Sequence, residues 1–117
     1  MTRPSWDDYF LAVAKAISTR ASCPRASVGA VIVPPEQRIL ATGYNGAPSG
    51  EADCLEAGCL MEDNHCQRAI HAEVNAVAYA ARHGVALRGS VLYLYESREL
   101  GSCRECVKVL RGAGVAF

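Results

Sequence analysis

Val91-Leu92-Tyr93-Leu94-Tyr95, then Cys103-Arg104-Glu105-Cys106 opening a stretch that runs to Arg111, then Val115-Ala116-Phe117 beyond Gly112 and Gly114: the reading of this segment decides the fold. The first run is apolar and aromatic with a β-branched start, the pattern of a buried strand. The stretch from Cys103 reads as a helix, and the two glycines end it. Val115 to Phe117 leaves room for only a short strand. Strand, helix and strand in succession imply a crossover joining two parallel strands, which is right-handed in nearly all known sheets. The loop Glu96 to Ser102 then delivers the helix start to one edge of the sheet.

Working outward, Ile70 to His83 reads as a second helix, with Ile70, Val74, Val77, Ala78 and Ala81 on one face and Gly84 as its stop. His71 and Glu73 fall in its first turn. Val28-Gly29-Ala30-Val31-Ile32-Val33 has the composition of another buried strand, stopped by Pro34-Pro35. Arg38 to Thr42 reads as its antiparallel hairpin partner. At the start, Trp6, Phe10, Val13, Ala14 and Ile17 recur at helical steps, so residues 5–20 form an amphipathic helix with its aromatic residues in the core. Ser5 is its N-cap, Asp7 and Asp8 suit the dipole of the first turn, and Pro24 disfavours continuation. Gly43 to Gly50 is rich in turn formers and reads as a loop. Residues 51–69 have no clear period, a long span for a structureless loop in a compact domain. The order helix, hairpin, helix, strand, helix, strand predicts an α/β layered domain over 1–117.

Composition narrows the function. The chain has 117 residues, half of them apolar, with 12 basic residues against 12 acidic ones. Such a balance gives no broad positive surface for long nucleic acids, though a local basic pocket could hold one phosphate. No apolar run is long enough to span a bilayer. Met1 to Asp8 lacks the features of a signal peptide, so a cytoplasmic protein is expected. Six cysteines, Cys23, Cys54, Cys59, Cys66, Cys103 and Cys106, then argue for metal or reactive thiols over disulfides.

His71, Cys103 and Cys106 supply one imidazole and two thiols. Three such ligands leave the fourth tetrahedral position of zinc open to water, as in catalytic sites. Zinc lowers the pKa of bound water from about 15.7 to about 7. Cys103 and Cys106, three residues apart at a helix start, share one face, and the helix dipole favours their thiolates. Glu73 is placed to move protons. A second, structural zinc would order residues 51–69, with Cys23, Cys54, Cys59, His65 and Cys66 as candidate ligands, one more than a tetrahedral site needs. The alternative is a surface loop carrying reduced thiols.

These motifs resemble the cytidine and deoxycytidylate deaminase superfamily, most of all its bacterial deoxycytidylate (dCMP) branch. His71-Ala72-Glu73 with Cys103-x-x-Cys106 carries the superfamily likeness. Gly43-Tyr44-Asn45-Gly46 with Pro48 and Gly50 narrows it to the dCMP type. Trp6 to Phe10, Cys23-Pro24-Arg25, Val28 to Val33, and Ile70 to Glu73 with Asn75-Ala76 extend it over nearly the whole chain. The resemblance implies a three-layer α/β/α cytidine-deaminase-like fold with a mixed central sheet, here with its C-terminal part shortened. It implies Zn2+ on His71, Cys103 and Cys106, and hydrolysis of dCMP to dUMP and ammonia. Glu73 would protonate N3 and then pass a proton to the departing amine. The backbone of Ala72 would hold O2, the carbonyl of Ser102 the amine, Asn45 the deoxyribose, and Arg25 the 5′-phosphate, unless Arg25 is a solvated surface residue. It also implies a homo-oligomer, and for some members a second zinc. Two departures are visible: Ser102 stands where the family has proline, and the loop Glu96 to Gly101 is longer. The competing readings are a deaminase of another cytosine-type substrate (cytidine, cytosine, another nucleotide or a single-stranded nucleic acid) and a non-catalytic zinc- or nucleotide-binding regulator.

Overall fold

The computed structural model describes residues 2–22, 26–48, 50–62, 65–66, 70–98 and 104–116, the side chains of Glu62, His65 and Cys66 aside. Helix α1 spans Trp6–Ser18. Its start is set locally: the Ser5 hydroxyl accepts from the Asp8 backbone N–H at 3.1 Å, and Asp7 and Asp8 occupy the first turn. Strand β1 (Val28–Val33) pairs antiparallel with β2 (Ala41–Tyr44). The hairpin is the expected one, but β2 lies later than Arg38 to Thr42. The register Ile32↔Ala41 to Gly29↔Tyr44 puts Ala41 and Gly43 on the helix-covered face, whereas earlier residues serve the turn after Pro34-Pro35.

Residues 51–69 are more regular than their composition suggests. A short helix α2 (Cys54–Ala57) is capped by the Asp53 carboxylate, which accepts from the Glu56 N–H at 2.9 Å. Strands β3 (Met61–Glu62) and β4 (His65–Cys66) make a small antiparallel ladder. Such elements are too short to show a period, which is why the pattern missed them.

Helix α3 (Ala72–His83) ends on Gly84 in the left-handed conformation, φ 67°. Strand β5 (Ser90–Glu96) follows, then α4 (Arg104–Gly112) and β6 (Val115–Ala116). Strands β5 and β6 are parallel while β1 and β5 are antiparallel, so the sheet β2-β1-β5-β6 is mixed. The strand–helix–strand crossover stands as read.

Alternation along the two central strands builds the layers. Val31 and Val33 of β1, with Tyr93 and Tyr95 of β5, face α1 through Phe10 and Ala14. Ala30 and Ile32, with Leu92 and Leu94, face α3 and α4 through Ala72, Ala76, Ala80 and Leu110. The register Ala30↔Leu94 and Val31↔Tyr93 keeps each set together across the pair. Burying one such Val, Ile or Leu is worth about 1.5–3 kcal/mol, so the sheet and its two helical layers hold one another in place.

Two expectations about faces are corrected. Trp6 is 55% exposed and Tyr9 is also exposed; Phe10 alone of the three is buried. Trp6 stacks on Phe10 from outside at 5.6 Å. On α3 the buried stripe is Ala72, Glu73, Ala76 and Ala80, whereas Ala78 and Ala81 face solvent. Small residues win that face because the helix lies close against β2. A Cβ on Gly43 would collide with the Ala72 carbonyl oxygen and stand 2.6 Å from the Ala76 nitrogen.

The Tyr93 hydroxyl donates to Asp7 Oδ1 at 2.6 Å, tying β5 to α1. That bond, some burial and the negative charge of Asp7 raise the Tyr93 pKa above its ordinary value. Stability from a raised group is present below the unfolded pKa, about 10, and is lost as pH climbs through the folded value. Tyr93→Phe is therefore expected to cost about 0.5 kcal/mol at pH 7, the low end for a solvent-facing bond. Thermal melts should show the difference closing above pH 10 or so. No helix among the described residues is long and apolar enough to cross a membrane.

Candidate active site

His71 is the N-cap of α3, with extended backbone angles φ −64° and ψ 150°. That position is ordinarily filled by Ser, Thr, Asp or Asn, whose oxygen binds a backbone N–H, and forgoing the bond costs about 1 kcal/mol. His71 makes no such side-chain cap. Its ring turns instead to α4, where Nδ1 stands 3.1 Å from Cys106 Sγ, although the two residues are 35 apart in sequence. Cys106 lies in the first turn of α4 and is 1% exposed, whereas His71 is open to solvent. Two helix starts, each following a segment that leaves the same edge of the sheet, thus deliver a nitrogen and a sulfur to one point.

The pair fits a metal of the zinc type. Bond lengths of about 2.0–2.1 Å to nitrogen and 2.3 Å to sulfur at a tetrahedral angle separate the two donors by about 3.6 Å. The observed separation is half an ångström shorter, a gap that a small rotation of either side chain closes. Cys103, directly before α4, lies outside the described residues, as do Ser102, Arg25 and Cys23. Among the described residues no group of three His, Cys, Asp or Glu side chains converges as a metal site.

Glu73 is 4% exposed in the first turn of α3. It is the one acidic residue on the buried stripe of that helix, held near the positive end of the helix dipole. Ala72 is the first helical residue, so its N–H has no partner within the helix and is available to an acceptor. Of the remaining candidates for the second metal, Cys54 is buried at the start of α2 and Cys59 is half-buried just past its end. The backbone of His65 and Cys66 lies in β4, and their side chains are outside the description.

Asn45 is buried at 9% exposure, and both ends of its amide meet backbone. Its Oδ1 accepts from the Val28 N–H at 2.9 Å, and its Nδ2 donates to the Ala26 carbonyl at 2.7 Å. Its own carbonyl accepts from the Ser22 N–H at 3.1 Å. Asn45 therefore brackets the segment that contains Cys23 to Arg25, a task that its place in a turn-rich loop did not announce. An antiparallel bridge, Gly46 N–H to Ile70 carbonyl at 3.1 Å and Ile70 N–H to Gly46 carbonyl at 2.7 Å, joins this loop to the residue before His71. Gly43 and Asn75 serve the same junction and had no assigned role. The available signal for Asn75 was a polar residue one helical turn beyond His71.

Comparison with known proteins gives the family. The family model for the cytidine and deoxycytidylate deaminase zinc-binding region matches residues 4–116. ComE operon protein 2 of Bacillus subtilis is 42% identical over 115 residues, covering 98% of this chain and 58% of that protein. This chain thus spans little more than half the length of that relative. The deoxycytidylate deaminase of Mycobacterium phage D29 is 38% identical over 126 residues, covering 98% of this chain and 93% of the phage protein. Among solved structures, the dCMP deaminase of cyanophage S-TIM5 in complex with dCMP and dUMP superposes with a TM-score of 0.78 at 32% identity, covering 98% of this chain and 79% of that one. With that family model matched over residues 4–116, and relatives of this identity and coverage beside it, the chain belongs to the cytidine and deoxycytidylate deaminase family.

Proposed function

We propose that this protein hydrolyses the 4-amino group of deoxycytidylate, releasing dUMP and ammonia. The observation that carries the reading is the 3.1 Å approach of His71 Nδ1 to Cys106 Sγ with buried Glu73 in the same turn. The substrate follows from likeness to the D29 and S-TIM5 dCMP deaminases. His71, Cys103 and Cys106 hold zinc, which when bound supplies a water acidic enough to act as nucleophile near neutral pH. Glu73 takes a proton from the attacking water and gives it to ring N3 as C4 becomes tetrahedral. It then carries the second proton to the amine, so that water adds and ammonia leaves with atoms balanced. The Ala72 N–H donates to O2 of the ring, and the Ser102 carbonyl accepts from the amine. Asn45 positions the deoxyribose, and Arg25 binds the 5′-phosphate. The reading extends to one domain over 1–117, a homo-oligomer in the cytoplasm, and a second structural zinc on four of Cys23, Cys54, Cys59, His65 and Cys66.

Zinc-loaded protein is assayed by ultraviolet absorbance on dCMP, cytidine and single-stranded DNA, before and after chelation. A charge-assisted phosphate contact is worth about 1.5–3 kcal/mol, so kcat/KM on dCMP should exceed that on cytidine by about tenfold to a hundredfold. Chelation should abolish turnover and added zinc restore it, with metal analysis giving two zinc ions per chain. Absence of dCMP turnover by folded, zinc-containing protein would refute the assignment.

A further inference from the structure

Asn75 sits on α3 one turn after His71, and its Nδ2 faces three carbonyl oxygens: Tyr44 at 2.8 Å, Gly46 at 3.2 Å and Ile70 at 3.4 Å. Three acceptors around one group require the donor end of the amide there. Tyr44 and Gly46 flank Asn45, so one side chain pins Asn45 from both sides. Asn45 in turn holds the Ala26 carbonyl and the N–H groups of Ser22 and Val28. A continuous run of hydrogen bonds therefore leads from the helix that carries His71 and Glu73, through the 44–46 loop, to both sides of Cys23 to Arg25.

We propose that Asn75 is a positioning residue that fixes the nucleotide-holding loop relative to the metal-bearing start of α3. Its two short bonds go to the loop, and the long one goes to Ile70 beside His71. Loss of the amide should thus loosen the binding of the sugar and phosphate more than it disturbs the reacting centre. The inference rests on the function proposed above for its kinetic expression, but not for its structural one.

The test compares Asn75→Asp with Asn75→Ala. The aspartate keeps the shape and turns a carboxylate oxygen toward three carbonyls, so it cannot donate. Both variants should raise KM for dCMP at least about tenfold, with kcat within about threefold and zinc content unchanged, and Asp should be no better than Ala. If Asp behaves like the native protein while Ala is impaired, side-chain volume matters and the proposal falls. It falls equally if kcat drops at unchanged KM, because Asn75 would then serve the His71 end. Amide hydrogen exchange reads the clamp without any substrate, and so separates this proposal from the dCMP assignment. The Ser22 and Val28 amides, both bonded to Asn45, should exchange at least about tenfold faster in the variants, with β5 amides unchanged. Native rates at both positions would overturn it. Should neither variant fold, Asn75→Thr, which removes the amide at nearly unchanged volume, carries the same exchange measurement.

Discussion

Glu73→Gln is expected to lower kcat on dCMP by about two to four orders of magnitude while zinc content and fold stay as they are. The side chain is buried in the first turn of α3, and glutamine matches it in size, so neither a cavity nor a steric clash accompanies the change. What is lost is the capacity to accept a proton and return it. In the proposed mechanism that capacity is used twice, at N3 and at the departing amine, so no single alternative donor replaces it. KM should move far less than kcat, because Glu73 contributes to the transition state more than to ground-state binding. Steady-state kinetics with metal analysis on the same preparations provides the check. A variant within tenfold of native kcat would remove Glu73 from the proton path.

Gly43→Ala is expected to damage stability and activity together, and Gly29→Ala stability alone. Both glycines lie on strands against a helix, one on each face of the sheet. A Cβ on Gly29 would run into the Ala14 carbonyl oxygen and approach the Ser18 nitrogen to 2.7 Å, both atoms belonging to the α1 backbone. A Cβ on Gly43 would meet the Ala72 carbonyl oxygen and the Ala76 nitrogen in the first turns of α3. Backbone cannot rotate aside as a side chain can, so each helix must lift from the sheet. The cost of such overpacking is about 3 kcal/mol, or roughly 10 °C in Tm for a chain of this size. Lifting α1 leaves the His71 and Cys106 layer in place, so folded Gly29→Ala protein should keep its kcat. Lifting α3 displaces His71 and Glu73 relative to Cys106, and kcat should fall at least about tenfold in folded Gly43→Ala protein, since a misplacement of 1 Å can cost a hundredfold. Equal kcat in the two variants would contradict the close packing of α3 as the source of site geometry.

The residue pattern alone was enough for several features whose cause is local. Ser5 with Asp7 and Asp8 marked the start of α1, Gly84 the end of α3, and the run Val28 to Val33 a strand buried on both faces, because capping, left-handed termini and alternation act within a few residues. The meeting of His71 with Cys106 could be expected for a chemical reason: zinc accepts few ligand types, and imidazole and thiolate are two of them. The short elements within 51–69 were illegible because four residues of helix and two of strand carry no period. Tertiary structure decided the rest. It chose alanine over valine and isoleucine for the buried stripe of α3, since distance to β2 outweighs hydrophobicity there. It turned Trp6 outward while Phe10 filled the core. It gave Asn45 and Asn75 their loop and strand partners, 17 to 31 residues away in the chain, and brought His71 to Cys106 across 35. The last of these contacts exists only once the β5–β6 crossover has packed α4 beside α3, and those of Asn75 with the loop only once α3 lies against β2; no local propensity encodes a distance between elements that the packed core alone sets.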